Sequence, residues 1–101
     1  MTNIKINKNY IEISGHSGYA NIGNDIVCAS ISTLSYATIN YLNALGIKIT
    51  LEDKEGYLKF SCKKDEKKAR QILEEFKNMV KDLEQQYPNN IKVEELEIWK
   101  N

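Results

Sequence analysis

DIVCASISTLSYATINYLNALG, residues 25–46, is where the hydrophobic period of the chain changes. Val27, Ile31, Leu34, Thr38, Tyr41 and Leu45 recur at steps of three and four, the spacing that lines one face of an α-helix. Asp25 stands where an N-cap belongs, and Gly46 where a helix can end on a left-handed residue. Ala29, Ser30, Ser32, Thr33, Ser35 and Ala37 are small, so a neighbour can pack very close to this helix. Apolar and small residues occupy more of its circumference than one sheet face requires. A second subunit would account for the excess, and homo-oligomers usually close with two-fold symmetry, so a homodimer is expected.

On the N-terminal side the period is two. Ile4 and Ile6 alternate with polar residues, Lys8-Asn9 offers a turn, and Ile11 and Ile13 alternate again, which predicts a β-hairpin. Between it and the helix lie Gly15, Gly18, Gly23, Asn21 and Asn24, residues that tolerate positive φ and predict a mobile loop. On the C-terminal side, Ile47, Ile49 and Leu51, then Leu58, Phe60 and Cys62, predict a second hairpin across an Asp53–Gly56 turn. Ala69, Ile72, Leu73, Phe76, Met79, Val80, Leu83 and Tyr87 form the cleanest helical stripe, with Asp65 as N-cap and Pro88 as its stop. Ile91 and Val93 open a last strand, but Leu96 and Ile98 fall on the opposite parity, which predicts a bulge or break near Glu94-Glu95. The order ββαββαβ gives an α+β fold: a two-layer domain, one mostly antiparallel sheet with two helices on one face.

The 101 residues suit one domain, 1–101, with a single core. Hydrophobic residues at 42% and charged residues at 28% exclude a disordered chain. No apolar run approaches a membrane span, and the start of the chain is unlike a signal peptide. Two cysteines in such a chain suggest a reducing cytoplasm rather than a disulfide framework. The 14 basic residues balance 14 acidic ones, and Arg70 is the single arginine, which argues against RNA as a primary ligand.

One stretch does not resemble scaffold. His16, the only histidine, sits where a strand gives way to the glycine-bearing loop, and Cys28 falls in the first turn of the long helix. The helix dipole and the first-turn N–H groups favour a thiolate there, an imidazolium would favour it further, and the same N–H groups can hold an oxyanion. Such a pair is the minimum for cysteine hydrolase chemistry. Taken alone, a cysteine in an apolar helix is more often a small core residue. One His and two Cys are too few soft ligands for zinc, and Cys62 alternates with Lys59 and Ser61 like a core residue.

The block from Gly15 through Ala20, followed by Gly23-Asn24-Asp25-Ile26-Val27-Cys28-Ala29-Ser30-Ile31-Ser32, resembles the signature of the ribosomal-processing cysteine protease family, Prp. That family carries GHA or GHS, a short glycine-bearing loop and then G-x-DIVCAA-x-S. Ser17 and Ser30 stand here where Ala is common. The resemblance implies a cytoplasmic endopeptidase that removes the N-terminal extension of a large-subunit ribosomal protein, L twenty-seven. It also implies recognition of a short hydrophobic, Phe-containing segment, a homodimer, and no metal or cofactor. Carried over, Cys28 matches the nucleophile and His16 the general base, while Asp25 and Ser32 match supporting positions.

The residues themselves add detail. Asp25 suits an N-cap better than a partner of His16. Ser32, one turn beyond Cys28, can support its rotamer or bond back to a preceding carbonyl. Gly18 and Gly23 let the loop swing over a peptide, and Tyr19 and Ile22 are its apolar candidates for gripping one. Lys63, Lys64, Lys67 and Lys68 read as a solvated helix entry. The competing function is a non-enzymatic ribosome- or RNA-associated binding module, in which His16 and Cys28 only shape a loop.

Overall fold

The computed structural model describes residues 1–21, 25–63 and 66–96. The elements follow the order β1 (Thr2–Ile6), β2 (Tyr10–Ser14), α1 (Ile26–Ala44), β3 (Thr50–Lys54), β4 (Tyr57–Ser61), α2 (Lys67–Gln86) and β5 (Ile91–Glu95). Alternation builds the sheet: Ile4 and Ile6 of β1 lie opposite Ile13 and Ile11 of β2, and these lie opposite Leu58 and Phe60 of β4. All six are buried on the face that the helices cover. The spatial order is β3-β4-β2-β1-β5. Three of the four pairings are antiparallel, and β5 adds to β1 in parallel.

The second helix meets its sequence reading except at Met79, which is exposed rather than core. Ala69, Leu73, Phe76 and Val80 are its buried stripe, and Phe76 meets Phe60 edge to face at 6.1 Å. Each such fully buried large side chain contributes about 1.5–3 kcal/mol through the apolar surface it removes from water. Its N-cap is Glu66, which makes no side-chain capping bond. Asp65, proposed for that role, lies outside the described residues, as do Lys64, Ile22, Gly23 and Ile98.

The first helix departs from its expected face. The buried residues are Val27, Ile31, Ser35, Thr38, Ile39 and Leu42, while Tyr41 is 56% exposed and Leu45 is exposed too. Ser35 enters the core because its hydroxyl donates to the Ile31 carbonyl at 2.7 Å, which satisfies it locally and lets the helix sit close on the sheet. A polarity pattern cannot register a serine that carries its own partner. Of the bulge or break expected near Glu94-Glu95, the bulge is absent and β5 ends at Glu95. Both residues stay in register with Lys5 and Ile6, and Glu95 also pairs with Lys77 and Lys81 of α2. β3 is an edge strand that overhangs the helices, so Leu51 pairs with Phe60 yet remains 47% exposed.

Candidate active site

The site forms where β1, β4 and β5 begin and β2 ends. Ser14 closes β2, and Gly15 turns the chain with φ +88° while its N–H donates to the Gly56 carbonyl at 2.9 Å. A Cβ at position 15 would stand 2.5 Å from the Met1 carbonyl oxygen, so only glycine passes there. His16 follows, exposed to solvent. Its ring lies over Gly56, where an added Cβ would come within 3.4 Å of Nε2. Ser17 then turns inward and is 1% exposed.

From the other side comes the start of α1. Asp25 caps it: Oδ1 accepts the Cys28 N–H at 2.9 Å. Oδ2 accepts the Ser17 hydroxyl and the N–H groups of Tyr19 at 3.2 Å and Ala20 at 3.4 Å. Burial pushes this carboxyl up, but the bonds from Ser17, Cys28 and Ala20 outweigh it and hold it down at about 2. Asp25 is therefore a full negative charge at neutral pH, spent on the helix start and on the loop. None of its bonds goes to His16, in keeping with the N-cap expectation.

Cys28 is half-buried, and its Sγ accepts the Ser17 N–H at 3.3 Å. An N–H aimed at sulfur, beside the positive end of a helix, is the polarity a thiolate prefers. His16 and Cys28 border the same two hollows. One, of about 180 Å³, is walled by residues that include Thr2, Ile31, Ser32, Tyr36 and Tyr57. The other, of about 410 Å³, lies under Gly18, Asp25, Ser32 and Glu55. Ser32 borders both and, among the described residues, makes no bond back to the helix, unlike Ser30 and Ser35. Tyr36 reaches across to Asp53, its hydroxyl donating to Oδ2 at 2.5 Å. The carboxylate it faces raises the Tyr36 pKa.

Of the first-turn N–H groups expected to be able to hold an oxyanion, two are already bonded: Cys28 donates to the Asp25 carboxylate, and Ala29 to the Asp25 main-chain carbonyl at 3.0 Å. The N–H that meets the sulfur belongs instead to Ser17, on the loop. Sequence reasoning also missed Asn90, whose Nδ2 donates to the Ser17 carbonyl at 2.9 Å across 73 positions of sequence. Nothing in Pro88-Asn89-Asn90 beyond ordinary turn chemistry marks it. Tyr19 sets its ring edge-on to Tyr87 at 5.4 Å. Gly18 carries φ +71° with open space where a side chain would stand.

Cys62 lies far from this chemistry. It is buried just past β4, its thiol donating to the Asn9 carbonyl at 3.6 Å. Burial, with the Glu66 charge, pushes that thiol up. A separate hollow of about 260 Å³, between Asn7, Arg70, Lys77 and Glu95, sits at the opposite end of β1. No described helix is long and apolar enough to cross a membrane.

Known proteins share this fold. The fold matches a crystal structure of an essential ribosomal processing protease Prp from S. aureus with a covalently linked product peptide. The TM-score is 0.89 at 20% identity, over 95% of this chain and 100% of that one. The same protease with a substrate peptide matches at TM-score 0.83 and 19% identity, with the same coverage. A Streptococcus mutans protein, SMU.848, matches at TM-score 0.72 and 25% identity over 94% of this chain and 91% of its own. None of the curated proteins matches the sequence. The sequence family described as cysteine protease Prp matches residues 1–92, a span that takes in His16, Cys28 and Asn90 and so every element that walls the site. The chain belongs to the Prp family of cysteine proteases.

Proposed function

We propose that this protein removes the N-terminal extension of a large-subunit ribosomal protein, L twenty-seven, in the cytoplasm, with Cys28 as nucleophile and His16 as general base. The observation that carries the reading is the meeting of His16 and Cys28 at shared hollows, with the Ser17 N–H on the sulfur. His16 takes the thiol proton, and the Cys28 thiolate attacks the scissile carbonyl carbon. A C–S bond forms and the carbonyl pair moves onto oxygen. Collapse of that intermediate breaks the C–N bond, and the proton held by His16 goes to the leaving amine. The acyl group stays on Cys28 as a thioester until water, deprotonated by His16, releases it. The two S. aureus Prp structures hold a substrate peptide and a covalently linked product peptide, which supports a peptide substrate here.

The hollow of about 180 Å³, with Ile31 and Leu58 in its wall, is the place for the Phe side chain. Gly18, Tyr19, Ile22 and Gly23 then serve as the substrate loop, and Ser32 supports the nucleophile. The protein acts as a homodimer. Ile26, Tyr41 and Met79 leave an exposed apolar groove between the outer sides of α1 and α2, the kind of surface a second copy covers. Incubation with a peptide copying the ribosomal extension should give one defined cut, absent with Cys28→Ala. Uncut peptide under conditions where the protein is folded would end the assignment. Light scattering should give twice the chain mass, and a monomer at working concentration would remove the dimer.

A further inference from the structure

All three polar groups of Ser17 are held, and by three different parts of the chain. Its N–H donates to Cys28 Sγ, its hydroxyl to the Asp25 carboxylate, and its carbonyl accepts from Asn90 Nδ2. A buried loop residue with every polar group directed is built for position, since each unsatisfied group would cost free energy. Asn90 itself stands on a firm base. Its N–H donates to the Tyr87 carbonyl at 3.0 Å, and its carbonyl accepts the Thr2 N–H at 2.9 Å, where β5 joins β1.

We infer that Asn90 is a positioning residue for peptide hydrolysis: it fixes Ser17 so that the Ser17 N–H serves Cys28 at rest and the oxyanion during attack. The inference rests on Cys28 being the nucleophile. The Ser17 N–H lies in the peptide plane before its side chain and the carbonyl in the plane after. Holding hydroxyl and carbonyl together removes rotation about the bonds of Ser17, and the N–H is left with one direction. When sulfur joins the carbonyl carbon, the developing oxyanion is one bond further on and within reach of that donor. The nucleophile's own N–H cannot take this part, because Asp25 already accepts it. Donors that are oriented before the reaction stabilise the transition state without reorganisation, and small misplacements are costly.

The test uses Asn90→Ala and Asn90→Asp. Asp is isosteric but carries no donor when ionised, and it sets a negative charge against the Ser17 carbonyl. Both variants should lower kcat roughly ten- to hundredfold with KM changed less than about twofold. Alkylation of Cys28 by iodoacetamide, read by peptide mass spectrometry, should shift its pH midpoint upward in both. His16, Asp25, Tyr36, Asp53, Lys54, Glu55 and Tyr57 also face the hollows beside Cys28 and are unchanged by these substitutions, so their influence cancels in the comparison. Asn90→Asp should regain part of its rate as the pH falls and the new carboxyl acquires a proton to donate. Should Asn90→Ala fail to fold, the isosteric variant carries the test alone. Folded variants with the parent's kcat and alkylation midpoint would overturn the inference. Persisting cleavage by Cys28→Ala would instead overturn the choice of nucleophile, so the two failures are distinct.

Discussion

The two cysteines of this chain show how place decides chemistry. Cys28 sits in the first turn of α1, half-buried, and accepts a main-chain N–H on its sulfur. Cys62 sits in the core margin, and its thiol points at a carbonyl oxygen. One sulfur accepts a main-chain N–H beside a helix N-terminus, a polarity that favours an anion. The other faces an acceptor and is desolvated, as a protonated thiol requires, and burial pushes it up. On the proposed reading the same side chain is a reagent at one position and packing at the other.

The largest effect should come from exchanging those roles on paper for serine or alanine in the protein. Cys28→Ala and Cys28→Ser should lower cleavage by ~10⁴-fold or more with the melting temperature little changed. Cys62→Ser should keep most of the activity, because its hydroxyl can donate to the Asn9 carbonyl as the thiol does. Alkylation of the folded protein near neutral pH should label Cys28 and leave Cys62 for the unfolded chain. Comparable catalytic loss in folded Cys62→Ser would mean that the two sulfurs have been assigned the wrong way round.

A smaller effect should sharpen the Cys28 side. Asp25 is held at about 2, below its usual value of 3.8, so its contribution to stability is complete above about pH 4. It should be lost as the pH falls from 4 towards 2, where the folded carboxylate takes a proton. Asn is also a good cap but carries no charge. Asp25→Asn should therefore show a shallower fall in melting temperature across that window than the parent protein. Parallel curves would show that the carboxylate does not hold the loop.

The smallest effect concerns Thr2, in the wall of the hollow beside Cys28. Its hydroxyl is buried with no partner among the described residues. Thr2→Val removes that unpaired group at equal shape, so the melting temperature should stay level or rise by an amount worth up to ~1 kcal/mol. A clear loss of stability would mean that the hydroxyl has a partner in solution.

Much of this molecule could be read in advance where neighbours in sequence are neighbours in space. Both hairpins, both helices and the Asp25 cap rest on local periods and local bonds. The block around His16 and Cys28 pointed to its family through the resemblance of a whole motif, since neither residue type alone decides its chemistry. What escaped depends on long-range placement. The buried face of α1 turned towards Ser35, Ile39 and Leu42 because a serine bonded to its own helix can be buried. Asn90 meets Ser17 only because β5 adds in parallel beside β1, which carries the start of β5 to the end of β2. Neither residue signals that meeting by type or spacing. The straight run of β5 through Glu95 likewise rests on its ladder with β1, far away in sequence. Parity within one strand cannot show it.

The central claim is that Cys28 carries the acyl group of a cleaved peptide. Rapid mixing with a peptide that copies the ribosomal extension, acid quench and mass spectrometry of the protein test it directly. The account predicts a transient gain equal to the N-terminal fragment less one water, mapped to Cys28 and absent from Cys28→Ala. Cleavage that proceeds in Cys28→Ala, or an adduct that maps to any other residue, would contradict it.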